Sequence, residues 1–142
     1  MSRPRQPVSR FEMTLDDYRL LSDFRYLLRQ FFVFSEQEAR AAGLTVQQHR
    51  ALLAIKAFDG QPSIGDLAER LVIRHNSAVG LVDRLVQAGF VTRNADRADR
   101  RRMTLAVTAR GEKKLLTISG ANRQELRRLA PLLATLVARL ER

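Results

Sequence analysis

The chain has 142 residues, the length of one ordinary domain, and hydrophobic residues make up 45% of it, which is enough for a packed core. It carries 25 Lys and Arg against 15 Asp and Glu, for a formal net charge of +10, and it has no cysteine, which excludes disulfides, thiolate metal sites and thiol redox sensing. Nearly all of the excess charge is arginine, whose planar fork suits phosphate. We therefore expect a polyanionic partner, with nucleic acid ahead of an anionic membrane. The alternative is that the excess charge has no polyanionic partner and reflects only an arginine-rich proteome.

The N-terminal sequence and the distribution of apolar residues bear on where the protein acts. No apolar run approaches the roughly 18 residues of a membrane span, so we expect no membrane association. The first ten residues, "MSRPRQPVSR", are basic and lack the apolar segment of a signal peptide. We therefore expect a cytoplasmic protein in which residues 1–13 form a flexible basic N-terminal arm.

Residues 14–44 are predicted to form a long N-terminal helix. Apolar side chains recur there at spacings of three and four, at Leu15, Tyr18, Leu21, Phe24, Leu28, Phe31 and Phe32. The cluster "FFVF" at residues 31–34 makes the helix apolar on more than one face, which a small domain cannot bury within itself. We interpret this segment as a dimerisation helix, although Phe31, Phe32 and Phe34 could instead line an aromatic ligand pocket.

Three shorter helices are predicted next. "TVQQ" at residues 45–48 and "SIGD" at residues 63–66 are capping signatures that open a second and a third helix. A fourth runs from about His75 to Ala88, and its start is polar. A helix-turn-helix places the start of its second helix against base edges in the major groove, where Arg, Asn and Ser can read bases. Polar first turns are also common in helices without any such partner.

After Gly89 the hydrophobic period changes from about 3.6 to 2. The alternating runs "FVTRNA" and "RMTLAVT" enclose "DRADR", which predicts a β-hairpin with a charged tip. A hairpin directly after a helix-turn-helix is a winged-helix layout, and it makes residues 45–108 the predicted DNA-binding region. Residues 109–142 are expected to form two helices, the first capped by Thr108 and the second started by Pro131. We interpret these as C-terminal dimerisation helices within a single compact domain per subunit.

The segments "LTVQQHRALLAI", "IGDLAERL", "HNSAVGLVDRLVQAGFVTR" and "DRADRRRMTLAVTARG" resemble the MarR family of winged-helix regulators, over about residues 14–142. The resemblance implies a mainly α fold with a small β-hairpin wing, and a homodimer built by the N- and C-terminal helices. It also implies a sequence-specific regulator of transcription, usually a repressor, that binds a pseudo-palindromic operator in double-stranded DNA. A small aromatic or anionic effector that releases the DNA is a further implied partner.

The resemblance also assigns site residues. It makes Arg101 the minor-groove arginine of the wing, with Asp99 bracing the wing by pairing with a nearby arginine. Arg84 matches an arginine that lies near the DNA backbone or pairs with the wing aspartate. The complete set of candidate DNA-binding residues is Arg74, His75, Asn76, Ser77, Val79, Arg84, Arg93, Arg97, Asp99, Arg100, Arg101 and Arg102.

Other chemistries receive little support from the sequence. Two scattered histidines, His49 and His75, make a poor metal site without cysteine. The chain has no Gly-rich phosphate loop and no nucleophile elbow. We therefore expect no metal, no cofactor and no enzymatic activity. The alternative function is a nonspecific or architectural DNA-binding protein with the same fold, and a third possibility is an interaction module that uses its amphipathic terminal helices.

Overall fold

The computed structural model describes residues 12–142, which form five helices and one two-stranded antiparallel sheet. The elements in chain order are α1 (Leu15–Ala41), α2 (Val46–Ala57), α3 (Ile64–Leu71), α4 (His75–Gln87), β1 (Val91–Ala95), β2 (Met103–Val107) and α5 (Ala109–Leu140). This is the mainly α architecture with a β-hairpin that the sequence predicts. Residues 1–11 of the predicted N-terminal arm lie outside the described part of the chain.

Local sequence determines where several helices begin and end. Three helices open with a reciprocal capping box, in which the first side chain accepts a backbone N–H and the second returns to the cap. The pairs are Thr14 with Asp17, Thr45 with Gln48 and Ser63 with Asp66. The second and third of these confirm the predicted signatures. Gly43 and Gly89 follow α1 and α4 with φ of 83° and 80°, the left-handed conformation in which glycine ends a helix without strain.

The expectation of two C-terminal helices is wrong, because α5 is one helix with Pro131 inside it. Proline lacks the N–H that would bond to the carbonyl of residue 127. Arg127 is exposed, so water can bond to that carbonyl instead. Leu129 and Leu136, on either side of the proline, are buried against α1. This packing on both sides of Pro131 keeps the helix continuous.

Two clusters of buried side chains hold the described chain together. The larger joins α2, α3, α4, the hairpin and the start of α5, and Leu52, Leu85 and Leu105 are among its most buried members. The smaller lies between α1 and the second half of α5. Contacts between these two helices pair Asp23 with Arg139, Ser35 with Asn122 and Ala42 with Lys114, so the helices run antiparallel. The larger cluster therefore fixes the helix-turn-helix and the hairpin as one rigid unit.

Candidate nucleic-acid interface

Helices α3 and α4 form a helix-turn-helix, and the start of α4 is an exposed polar segment. The turn contains Val72 in the left-handed conformation, with φ 56° and ψ 49°. The four polar residues Arg74, His75, Asn76 and Ser77 are all exposed, whereas Ala78 is fully buried and marks the inner side of the helix. Arg74 makes no side-chain cap bond, and Val79 is half-buried. A polar helix N-terminus without a side-chain cap can donate its backbone N–H groups to a phosphate.

The hairpin places its charged tip at residues 96–102. Strands β1 and β2 pair from Val91 opposite Val107 to Ala95 opposite Met103. At the tip the N–H of Asp96 donates to the carbonyl of Arg102 at 2.8 Å, and the Asp96 carboxylate accepts the N–H of Ala98 at 2.9 Å. Asp96 is therefore a turn former.

Asp99 braces the wing through the backbone. Its carboxylate accepts the N–H of Arg101 at 3.0 Å, and its carbonyl accepts the N–H of Arg102 at 2.9 Å. Within residues 12–142 it forms no ion pair with an arginine side chain, so the expected partner is corrected from a guanidinium to a backbone amide. Arg84 is exposed and likewise does not pair with Asp99. The bonds at Asp99 fix the direction in which the chain leaves the turn at Arg101.

The wing arginines fall into two groups. Arg93 pairs with Asp83 on α4, and Arg102 pairs with Asp66 on α3 at 2.8 Å. These two guanidinium groups tie the wing to both helices of the helix-turn-helix. The other three, which are exposed and form no ion pair within the described chain, are Arg97, Arg100 and Arg101. The wing therefore has two arginines held by carboxylates and three that project to solvent.

The residues that position the wing were not among the sequence candidates. Asp66 completes the cap of α3 and also accepts from Arg102. The backbone hydrogen bond from Ser63 is the main cause that lowers the pKa of Asp66, and the charge and hydrogen bond of Arg102 lower it further. The buried Thr104 donates its hydroxyl to Gln61 at 2.9 Å. In the sequence, the capping signature was the one sign that Asp66 has a structural role. Its pairing with Arg102 leaves no local pattern, because the two residues lie 36 positions apart.

A second candidate site is a cavity of about 370 Å³ between α1, α2 and α5, which we call the inter-helix cavity. Its lining includes Phe31, Phe32, Ser35, Glu36, His49, Arg50 and Asn122. The rings of Phe31 and Phe32 meet edge to face, with centroids 5.7 Å apart. The cavity thus has an aromatic wall beside a few polar groups, which is typical of a small-molecule site.

Two polar atoms around the inter-helix cavity are buried and have no hydrogen-bond partner in the described chain, namely Nε2 of His49 and Oδ1 of Asn122. His49 is only 5% exposed, and burial lowers the pKa of its imidazole. The amide nitrogen of Asn122 donates to Ser35 Oγ at 3.1 Å. Buried polar groups are normally hydrogen-bonded, so these two atoms have capacity for a ligand. His49 is therefore a buried residue beside a cavity whose walls come from three helices distant in sequence.

Two other kinds of site, a metal centre and a membrane-spanning helix, are absent from residues 12–142. No group of three or more His, Cys, Asp or Glu side chains there has an arrangement suited to a metal ion. None of the described helices combines the length and the hydrophobicity needed to cross a bilayer.

Comparison with known proteins agrees with this geometry. Residues 42–102 match the model of the MarR family. Over 94 residues the chain is 34% identical to the HTH-type transcriptional regulator FarR from Neisseria gonorrhoeae, a match that covers 66% of this chain and 56% of FarR. The chain therefore spans little more than half the length of that relative.

Two solved structures have the same fold. A mutant of S. aureus MepR bound to an oligodeoxyribonucleotide is 20% identical with a TM-score of 0.67, covering 92% of this chain and 98% of that one. CouR from Rhodococcus jostii RHA1 bound to p-coumaroyl-CoA is 21% identical with a TM-score of 0.66, covering 86% and 92% of the two chains. The likeness extends from the helix-turn-helix and wing to the long terminal helices.

Proposed function

We propose that the chain is a member of the MarR family of transcriptional regulators, whose model matches residues 42–102, and that it acts in the cytoplasm by binding a specific operator in double-stranded DNA. One observation carries the proposal. The exposed polar start of α4 and the three projecting arginines of the wing tip belong to one rigid frame, joined by the Asp83 and Asp66 ion pairs. The family consists of regulators and not of enzymes, and the related MepR has been solved on DNA.

In this proposal the two surfaces read DNA differently. Helix α4 enters the major groove, where the amide of Asn76 can bond to adenine and Arg74 to guanine. Arg101 enters the minor groove, because a narrow minor groove has a strongly negative potential that attracts arginine. Arg97 and Arg100 contact phosphates, which position the protein without reading sequence. For Arg93 and Arg102 we now propose a positioning role, because each is already held by a carboxylate.

We further propose a homodimer, because the long helices leave an apolar stripe exposed. On α1 the exposed side chains recur every three or four residues, and more follow on α5; they are Leu15, Tyr18, Leu21, Phe24, Leu28, Phe32, Leu126, Leu132, Val137 and Leu140. A patch of that extent marks an interaction surface. A second copy would cover it by two-fold symmetry and set two α4 helices roughly 34–36 Å apart on a pseudo-palindromic site.

We propose that the protein is a repressor and that a small aromatic or anionic effector releases it from DNA. The inter-helix cavity supports this role, since it combines the rings of Phe31 and Phe32 with unsatisfied polar atoms of His49 and Asn122. CouR, a relative in fold, has been solved with an aromatic ligand, p-coumaroyl-CoA. The net charge of +10 favours a second candidate, a nonspecific DNA-binding protein, which differs from the first in its preference for one sequence.

The test is a fluorescence anisotropy titration of a duplex from the region upstream of the gene and of a scrambled duplex, at several salt concentrations. A specific regulator should prefer its operator by roughly 10³-fold or more. Arg101→Ala should weaken binding to both duplexes and lower the magnitude of the slope of log K against log salt by about 1.8, which is about 0.9 for each subunit of the proposed homodimer, whereas the matched Arg123→Ala on α5 should change neither. Asn76→Ala should lose about 1–3 kcal/mol of discrimination at one base pair.

Two results would refute the assignments. Equal affinity for operator and scrambled duplex would favour the nonspecific alternative. An Arg101→Ala titration that overlays the wild type would remove that residue from the DNA contacts.

A further inference from the structure

We propose that Gly80 and Arg84 form a base-reading unit on α4, in which the glycine leaves room for the arginine to bind a guanine edge in the major groove. The inference rests on the proposed function, because α4 is assigned there as the DNA-reading helix. It adds to that function a specificity-determining pair about one helical turn beyond Asn76. It also differs from the role that the family resemblance implied for Arg84, which was a position near the DNA backbone or beside the wing aspartate.

Gly80 lies on the side of α4 that faces away from the core. The buried residues of α4 mark the opposite side of the helix and are Ala78, Leu81, Val82 and Leu85. At about 3.6 residues per turn, Gly80 is about 200° around the helix from Ala78. Asn76 and Arg84 lie four residues before and after Gly80, so the three are neighbours along one face. This face therefore has a gap in the middle, where the chain has no side chain.

Arg84 fills that gap with its guanidinium group. A Cβ atom on Gly80 would lie 3.7 Å from Nη1 of Arg84, and within residues 12–142 no other side chain beyond the two chain neighbours comes within 4 Å of that point. Helical side chains lean towards the N-terminus of their helix, so the guanidinium lies over the turn that precedes its own Cα. It is thereby brought back by about one turn, or about 5.4 Å, towards the polar start of α4. A side chain much larger than that of alanine at residue 80 would exclude it from this position.

The guanidinium of Arg84 is available to a partner. The side chain is exposed and forms no ion pair within the described chain. Asp83, the one carboxylate of α4, is already paired with Arg93 of the wing. No acidic group of α4 therefore competes for Arg84, and its N–H donors can turn to the groove.

A free guanidinium in the major groove selects guanine. That base presents two acceptors there, N7 and O6, which match the fork of an arginine. Residues 76 and 80 are about 6 Å apart along the helix, which corresponds to about two base-pair steps of about 3.4 Å. The guanine should therefore lie within about two base pairs of the base that Asn76 contacts.

The first test selects bound duplexes from a random-sequence library and compares the base preference at each position. The wild type should prefer guanine at one position of each half-site by roughly 5- to 150-fold, close to the position whose preference Asn76→Ala relaxes. Arg84→Ala should lose this guanine preference and keep the others. Arg97→Ala is the contrast, because loss of a phosphate contact weakens binding to all sequences alike. The same uniform weakening in Arg84→Ala would indicate a phosphate contact and overturn the proposal.

The second test places 7-deazaguanine at the selected position, which removes the N7 acceptor and keeps the base pair. The wild type should bind this duplex about 5-fold or more weakly than the guanine duplex, whereas Arg84→Ala should bind both equally. Gly80→Ala should keep the wild-type ratio of the two affinities, since its methyl group makes only an ordinary contact with Arg84. Gly80→Leu fills the gap and favours helix more than glycine does, so it should lose that ratio at low salt, where every duplex binds. An unchanged ratio in a folded Gly80→Leu protein would overturn the role of Gly80.

The outcomes separate this inference from the proposed function. A wild type that selects no sequence would refute the proposed function, and this inference with it. A wild type with clear base preferences that Arg84→Ala leaves intact would overturn this inference alone. Equal wild-type affinity for the guanine and 7-deazaguanine duplexes would also overturn it, because the arginine fork then does not bind N7.

Discussion

Gly111, in the first turn of α5, is a position where a single added methyl group should be strongly destabilising. A Cβ atom there would lie 2.4 Å from the carbonyl oxygen of Phe90 and 2.8 Å from Cγ1 of Val107. The carbonyl of Phe90 is held by the N–H of Thr108 at 2.9 Å, so it cannot retreat without loss of that bond. Overpacking costs about 1–3 kcal/mol and the weakened bond about 1 kcal/mol, while alanine regains up to about 1 kcal/mol of helix propensity. We therefore expect Gly111→Ala to lower the free energy of unfolding by about 1–3 kcal/mol.

Thermal unfolding followed by circular dichroism at a fixed protein concentration measures this effect. The expected loss corresponds to a fall in Tm of roughly 3–12 °C for a chain of this size. Gly120→Ala is the matched control in the middle of the same helix, since within residues 12–142 no atom beyond the adjacent helix backbone lies within 4 Å of its added Cβ. It should leave Tm unchanged or raise it through helix propensity. A Gly111→Ala protein that melts at or above the wild-type temperature would refute the argument from close approach.

Three further predictions concern the turn, the cavity and the wing. Val72→Gly should raise the urea midpoint, because glycine adopts the φ of 56° without the roughly 1–2 kcal/mol that a left-handed residue costs; a lower midpoint would contradict strain at this turn. Burial lowers the pKa of His49, so its stabilising contribution is complete above the unfolded value of 6.5 and is lost as the pH falls from 6.5 towards the folded pKa. Between about pH 7 and pH 5, Tm should therefore fall more for the wild type than for His49→Gln. Equal falls in the two proteins would exclude protonation of His49 as the cause of the lower stability at acid pH. A double-mutant cycle of Asp66→Asn and Arg102→Gln should give a coupling of about 0.2–1 kcal/mol by urea unfolding at neutral pH. The pKa of Asp66 is lowered from 3.8, mainly by the backbone hydrogen bond from Ser63, so the coupling should disappear as the pH falls below 3.8 through the pKa of Asp66 in the folded protein. Zero coupling at neutral pH would mean that the pair is not formed in solution.

The elements with local signals could be predicted from the sequence. Capping boxes at Thr45 and Ser63 require only residues three apart, and the hairpin is indicated by apolar and polar residues that alternate over a few positions. The exposed start of α4 follows from its polar composition. In each case the determining interaction lies within one or two helical turns or strand pairs, so the chain itself displays it.

The remaining features depend on partners that are distant in sequence. Pro131 remains inside α5 because Leu129 and Leu136 pack on α1, and this packing outweighs the loss of one helical bond. Arg93 and Arg102 were predicted to contact DNA, but they pair with carboxylates 10 and 36 residues away. The predicted DNA contacts of the other site residues stay predictions that binding measurements must decide.

The continuity of α5 makes it a lever. Its 32 residues, at about 1.5 Å each, span about 48 Å from the base of the wing to the far end of the α1–α5 contact. A pivot of only about 5° near one end displaces the other by about 4 Å, comparable to the rise of one base pair of B-DNA at about 3.4 Å. In the proposed homodimer, substitutions around Pro131, about 33 Å along the helix from its start, can therefore change the distance between the two wings without touching either. The fit of that dimer to operators of different half-site spacing is thus adjustable far from the residues proposed to read them.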